Sequence, residues 1–175
     1  MEYEFTLKFK LRATDASAES LVELLGEAGC DDALVGVGQP GRIALDFTRE
    51  AKSGSEAVLS AIKDVRRAIP DAQLIEASPD YVGLTDVAEL VGVSRQNMRK
   101  LMAAHLDFPS PVHEGNSQIW HLDSVLRWLS GRAGSHRIEQ RLLEIAQVTM
   151  QVNLVKEATR LEPAQHERFR KWVAA

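Results

Sequence analysis

The sequence has very little cysteine and no long apolar run. Cys30 is the only cysteine, which excludes a disulfide framework within one chain and a thiolate metal cluster, and favours a reducing compartment. No apolar run approaches the roughly 20 residues that a membrane-spanning helix needs. The start, MEYEFTLKFK, lacks the basic and then apolar order of a secretion signal. We therefore expect a cytoplasmic protein without a membrane segment.

Patterns that would indicate catalysis or metal binding are also scarce. The histidines show no i, i+4 pairing and no accompanying carboxylate pattern, so no metal site is expected. They are His105, His113, His121, His136 and His166. Cys30 stands beside Asp31 and Asp32, but no histidine precedes it, and it fits a half-buried small residue after a helix better than a nucleophile. With no nucleophile and base pair and no phosphate loop, we expect no enzyme and no cofactor.

Negative charge is concentrated in the first half of the chain. Residues 1–80 contain 9 Lys and Arg against 15 Asp and Glu, a balance of -6. Residues 81–132 contain 5 against 5, and residues 133–175 contain 7 against 5, a balance of +2. Because a strongly acidic domain repels a phosphate backbone, a role with nucleic acid is confined to the second half.

Strand patterns occur four times in the first 80 residues. The start, YEFTLKFKL, alternates apolar and polar residues, ALVGV and RIALDF predict two short strands around a turn, and AQLIEA predicts a last strand. Gly36, Gly38 and Gly41 match G-x-G-x-x-G, but the dinucleotide fingerprint needs a helix where RIALDF alternates like a strand. The segment 38–41 therefore predicts a hairpin turn, with Pro40 and Gly41 at the central positions of a type II turn.

Two helices separate these strands. Thr14 or Asp15 could cap the first helix, which Gly29 can end, while the segment 53–56 matches a capping box for the second, which Pro70 stops. The apolar stripes are Leu21, Val22, Leu24, Leu25 and Ala28 in the first helix and Val58, Ala61, Ile62, Val65 and Ile69 in the second. The order βαββαβ predicts a ferredoxin-like sandwich over residues 1–80, with two helices on one face of an antiparallel sheet.

The segment LTDVAELVGVSRQNMRKLM predicts two helices that meet at a glycine. Thr85 can cap a short helix that ends at Val91, Gly92 permits the tight turn, and Ser94 caps a second helix over residues 94–104. The inward-facing residues are Val87, Ala88 and Val91 in the first helix and Met98, Leu101 and Met102 in the second. The outward-facing residues of the second helix are Arg95, Gln96, Arg99 and Lys100.

This layout is that of a helix-turn-helix, whose second helix lies in the major groove of DNA. Arg95 can grip guanine and Gln96 can pair with adenine. Lys100, Arg99 and the hydroxyl of Ser94 suit phosphates, aided by the positive end of the helix. The alternative is an amphipathic helix pair with a solvated charged face.

The next segment, FPSPVHEGNSQIWHLDSVLRWL, predicts a hairpin and a helix. A strand over residues 111–113, a turn over 114–117 and a returning strand over 118–121 precede a helix that Asp123 caps. Val125, Leu126 and Leu129 face the core from that helix. A hairpin that directly follows a recognition helix is a wing, which rests on the DNA backbone beside the groove.

Residues 83–130, about a quarter to a third of the chain, resemble the winged helix-turn-helix of AlpA-type and excisionase-type regulators, relatives of the MerR superfamily. The resemblance implies binding of duplex DNA, commonly as a dimer or cooperative array, to control transcription or excision. The residues that it carries over are Ser94, Arg95, Gln96, Arg99 and Lys100. The wing departs from the family, which usually has Arg or Lys in the turn, because this turn reads HEGNS and Glu114 would repel phosphate.

The remaining chain predicts a linker and two helices. Residues 131–134 read as the linker, Glu162 and Pro163 start a short final helix with Phe169 and Trp172, and a longer helix lies between them. The long helix has two apolar faces, Ile138, Leu142, Ile145, Thr149 and Val152 on one and Leu143, Ala146, Met150 and Leu154 on the other. Such a helix needs cover on two sides, either by packing on its own domain or in a dimer that presents two recognition helices about 34 Å apart.

Together these patterns predict an α+β protein with a ferredoxin-like domain (1–80), a winged helix-turn-helix domain (81–132) and C-terminal helices (135–175). We expect a homodimeric, sequence-specific regulator of transcription that binds double-stranded DNA, with a small molecule or protein as the partner of the N-terminal domain. Either the C-terminal helices or the N-terminal domain could form the dimer. The alternatives are a protein-interaction adaptor, such as an antitoxin or phage-related accessory factor, and an ACT-like module that binds a small ligand.

Overall fold

The computed structural model describes residues 1–12, 17–132 and 138–173, which form a mixed α+β fold. The strands are β1 (Glu2–Lys10), β2 (Ala33–Gly36), β3 (Arg42–Glu50), β4 (Gln73–Ser78), β5 (Tyr81–Val82) and β6 (Trp120–His121). The helices are α1 (Ala18–Glu27), α2 (Gly54–Ala68), α3 (Leu84–Leu90), α4 (Arg95–Ala104), α5 (Leu122–Ser130), α6 (Gln140–Ala158) and α7 (Pro163–Val173). The predicted caps Thr14 and Asp15, the end of the predicted linker at Gly134, and His136 lie outside the described residues.

The four longer strands form one antiparallel sheet in the order β2-β3-β1-β4. β1 pairs with β3 along its whole length, and its alternate residues are buried on the face that α1 and α2 cover. The predicted turn between β2 and β3 is confirmed, because the amide of Arg42 donates to the carbonyl of Gln39 at 3.0 Å and Gly41 has a φ of 72°. The order of strands and helices along the first 80 residues therefore follows the predicted one.

The apolar stripe of α1 is narrower than predicted. Leu21, Leu25 and Ala28 are buried, but Val22 and Leu24 are each 45% exposed, because only one residue in three or four faces the sheet. Cys30 is buried rather than half-buried, and this burial, with Asp64 nearby, raises the pKa of its thiol to about 11. A thiol with such a pKa is a poor nucleophile at neutral pH.

A buried arginine ties the first helix to the sheet. Arg49 continues the inward alternation of β3, and its guanidinium donates to Asp32 at 2.6 Å and to Asp64 at 2.8 Å. It also donates to the carbonyl of Gly29 at 2.7 Å. These charge-assisted bonds to Asp32 and Asp64 raise the pKa of Arg49. The alternation of RIALDFTRE places Arg49 on the inward face, but it does not identify the partners that make a buried arginine tolerable there.

α6 packs against two hydrophobic clusters at once. Ile145 belongs to the cluster between the sheet and helices α1 and α2. Ala146 belongs to the cluster formed by α3, α4 and α5. The predicted cover on two sides is therefore present and comes from the same chain, except at Leu154 of the second face, which is 48% exposed. The division of the chain at residues 80 and 132 stays a prediction.

Polar groups on α6 hold the connection between the two clusters. Asn153 donates to the carbonyl of Ala77 and to the carboxylate of Asp80, both at 2.8 Å, and accepts from the amide of Ala77 at 2.9 Å. The other oxygen of Asp80 lies 2.7 Å from Nδ1 of His121. Thr149 donates to the carbonyl of Pro79 at 2.7 Å. Residues 77–80, which lead from β4 to β5, are thus fixed to one face of α6.

Two of the predicted helix caps are wrong. Thr85 lies inside the first turn of α3, and the residue before the helix is Gly83, whose amide donates to Asp86 at 2.7 Å. Asp123 lies inside α5, which follows β6 without a loop, and it accepts from Arg127 at 2.8 Å. A glycine N-cap and an immediate strand-to-helix junction leave no place for a capping side chain at the expected position.

The predicted hairpin is shorter than expected. Residues 111–113 form no strand beyond a single bridge between His113 and Ile119, because the amides of Val112 and His113 both donate to the carbonyl of Ile119, and this irregularity interrupts the ladder. The returning residues 120–121 pair instead with Tyr81 and Val82, ahead of α3. Among the described helices, none is both long and apolar enough to cross a bilayer.

Asn153→Ala is expected to lower the free energy of unfolding by about 3 kcal/mol, because it leaves one oxygen of the buried Asp80 carboxylate and both backbone groups of Ala77 without the partners that Asn153 provides. The matched control is Leu154→Ala, which changes the neighbouring residue on the outer face, 48% exposed, and should cost less than about 1 kcal/mol. Urea unfolding measures both, and equal losses would contradict the structural role given to Asn153.

Candidate nucleic-acid interface

The turn between α3 and α4 has the tight geometry that the sequence predicts. Gly92 has a φ of 71°, in the left-handed region that glycine adopts without steric cost. The amide of Val93 donates to the carbonyl of Ala88 at 2.9 Å, which closes the turn. Ser94 then caps α4, because its hydroxyl accepts from the amide of Asn97 at 3.2 Å. The predicted cap and turn are both confirmed.

One fully buried side chain anchors α4 in the hydrophobic cluster. Met98 is 0% exposed, and Leu101 and Met102 pack partly buried against the same cluster. The buried Ala88 of α3 is small, which lets the two helices lie close together. The opposite face of α4 is consequently turned to solvent.

The predicted site residues lie together on that exposed face. They are Ser94, Arg95, Gln96, Arg99 and Lys100, and each is exposed. At 3.6 residues per turn, Arg95 through Lys100 cover an arc of about 140°. Ala103, which the sequence analysis did not single out, is exposed and falls within the same arc. Its small side chain leaves the centre of the face flat, and a methyl group there could contact the methyl of thymine.

The charge on α4 works against the stability of the helix itself. The helix contains Arg95, Arg99 and Lys100 and no acidic residue. Arg95 occupies the first helical position, where the positive end of the helix disfavours a cation, and it stands i, i+4 from Arg99, a repulsive pair. An anion bound against this face would offset both costs. The arrangement therefore favours contact with phosphates or another anionic surface.

An aromatic cluster supports the end of α4. Arg132 lies 4.4 Å above the ring of Trp128 and contacts the ring of His105, the residue that ends α4. The indole of Trp128 donates to Asp107 at 3.0 Å. This bond lowers the pKa of the Asp107 carboxyl, with Arg132 and His105 contributing. These contacts fix α4 relative to α5, so the exposed face has a defined direction.

The hairpin after α4 contributes little positive charge to the interface. Glu114 at its tip is exposed and accepts from the side chain of Gln118 at 3.2 Å. His113 lies beside the tip, where its ring would be within 2.8 Å of a Cβ added to Gly115. Because Glu114 would repel phosphate, the hairpin is less suited than α4 to contact an anionic surface.

Within residues 1–12, 17–132 and 138–173, no three His, Cys, Asp or Glu side chains are grouped as metal ligands would be. No protein-family model, curated protein or solved structure matches the chain. The candidate interface is therefore defined by the residues of α4 and their surroundings.

Arg95→Glu is expected to raise the free energy of unfolding by about 0.5 to 1 kcal/mol, because glutamate suits the first turn and pairs with Arg99 at i, i+4. The control is Arg66→Glu, in the last turn of α2, where the same charge change should be destabilising. Urea unfolding at low salt measures both. A loss of stability in Arg95→Glu would mean that Arg95 has a structural role.

Proposed function

We propose that the chain is a sequence-specific regulator of transcription that binds double-stranded DNA and reads the major groove with α4. The observation that carries this proposal is the exposed face of α4, on which three cations and one amide lie together although the charge does not stabilise the helix. A solvated surface helix would gain from mixed charges, which this face lacks. Insertion into a groove lined by phosphates explains the pattern.

Each residue of the face has a distinct role in this proposal. Arg95 and Gln96 stand in the first turn, the part of a recognition helix that meets base edges, where arginine selects guanine and glutamine selects adenine. Arg99 and Lys100 lie one turn later, toward phosphates. Ser94 positions the helix through its cap and has a hydroxyl proton left to donate to a phosphate.

The remaining fold is consistent with this role. We propose that residues 1–80 are a ferredoxin-like unit, supported by the sheet order β2-β3-β1-β4 and by the crossing helices α1 and α2. We propose that residues 81–132 are a helix-turn-helix with a reduced wing, supported by the α3–α4 turn and the bridge at His113. The acidic first unit would bind a small molecule or protein rather than DNA.

Binding to DNA is expected to weaken with salt, with a slope of about -2 in log K against log salt for each bound chain, because Arg99 and Lys100 face phosphates. Titration of the protein on selected genomic fragments at several salt concentrations measures the slope. A slope near zero, or no retained fragment at low salt, would contradict the proposal.

Arg95→Ala should weaken binding to the preferred DNA site by about 1 to 3 kcal/mol and relax sequence choice there. Lys100→Ala should weaken binding to all sequences alike and reduce the salt slope by about 1. The control is Arg66→Ala, which removes an exposed arginine from α2 and should leave binding unchanged. Competition binding on matched and altered sites measures these effects. If Arg95→Ala weakened binding equally on every sequence, Arg95 would not be a residue that reads bases.

A further inference from the structure

The helix α7 contributes no residue to either hydrophobic cluster of the described part of the chain. Every residue of α7 is exposed, including Phe169 at 56% and Trp172 at 83%. Phe169, Trp172 and Val173 stand at i, i+3 and i+4, which is one stripe of the helix. An isolated helix of 11 residues is marginal in water, so α7 needs a partner for this stripe.

A cleft of about 810 Å³ lies where β1, β3, the end of α3 and the start of α6 meet. Its apolar lining includes Leu90, which is 43% exposed, together with Ile138 and Leu142. Its rim is acidic, with Glu2, Glu4, Asp46, Glu89 and Glu139. Arg141 is the one basic residue among the lining residues, and its guanidinium pairs with Glu139 at 3.0 Å.

The helix and the cleft are complementary in charge and shape. α7 has Arg168, Arg170 and Lys171 against Glu167, while the cleft has the five acidic residues against Arg141. An amphipathic helix with aromatic anchors binds in an apolar groove, and opposite charges on the two surfaces steer and orient it. The cleft therefore suits a helix with the composition of α7.

The cleft cannot be filled by α7 of the same chain in this fold. The cleft includes the start of α6, and α7 follows the other end of α6, which is about 27 Å away at 1.5 Å per residue. The connection at residues 159–162 is a closed turn, in which the amide of Leu161 donates to the carbonyl of Ala158 at 3.1 Å. That turn keeps α7 at the C-terminal end of α6, away from the cleft.

We propose that α7 of one chain docks in the acidic cleft of a second copy, and that the exchange is reciprocal. Two α6 helices that lie antiparallel about a two-fold axis bring the end of each beside the start of the other, which places each α7 at the other cleft. Both contacts then form in one closed dimer. The cleft also includes Glu89 and Gly92, so the docked helix would touch the turn that leads into α4. The dimer does not depend on DNA binding.

Sedimentation velocity on the full-length chain tests the exchange. Phe169→Glu with Trp172→Glu should weaken the dimer about 30-fold, the factor that corresponds to losing about 2 kcal/mol at a buried aromatic anchor. Glu4→Lys with Glu89→Lys should weaken it as much, since the cleft would repel α7. The control is Glu23→Lys with Glu27→Lys, which makes the same charge change on the exposed side of α1, outside the cleft. All substituted residues are exposed, and circular dichroism checks that each variant folds.

Mixing the two defective variants gives the sharper test. Each variant alone lacks both contacts, but a mixed dimer contains one unaltered α7 in one unaltered cleft, so mixing should restore dimers. Three outcomes would overturn the proposal: a monomeric wild-type chain, whose α7 would then serve another partner; a cleft variant that still forms dimers, which would indicate contact between the two α7 helices; or a mixture that stays monomeric.

Discussion

The hydrogen bonds between Asn153 and the segment 77–80 set the relation between the two halves of this molecule. The carboxylate of Asp80 is buried, and a buried carboxylate must be fully hydrogen-bonded to be tolerated. Its two oxygens are satisfied from opposite sides, by Asn153 on α6 and by His121 at the start of α5. Since α6 also packs on both hydrophobic clusters, this buried group and that packing together fix the direction of α4 relative to the sheet.

Because of this constraint, charges that are unevenly distributed along the chain are also held apart in space. The first 80 residues carry 15 acidic against 9 basic side chains, while α4 carries cations only. If the two parts moved freely, the acidic surface could cover the cations of α4 and compete with DNA. A fixed connection keeps the cationic face of α4 exposed, and under the proposed function the acidic unit would limit nonspecific attraction to phosphates.

Local patterns predicted most of the elements, whereas long-range polar contacts could not be predicted. The alternation in β1, the glycine at the α3–α4 turn and the cap at Ser94 depend on neighbours in sequence, and each is confirmed. Arg49 and Asn153 look like ordinary polar residues of a strand and a helix, because their partners lie 15 to 17 and 73 to 76 residues away. Helical periodicity predicted which face of α4 is exposed. That the sheet part of the molecule does not cover this face depends on the packing of α6.

The weak wing and the exposed final helix lead to the same conclusion about assembly. With Glu114 at the hairpin tip, one chain would offer DNA little beyond α4 under the proposed function, and so few phosphate contacts would give weak binding at cellular salt. A second α4 on the same molecule would double those contacts and raise the effective concentration without new chemistry. In a single chain, the exposed aromatic stripe of α7 lowers solubility and provides no stabilisation. Both features are explained if the chain acts as a pair, in which the helix that holds the pair together also lies beside the turn that directs α4.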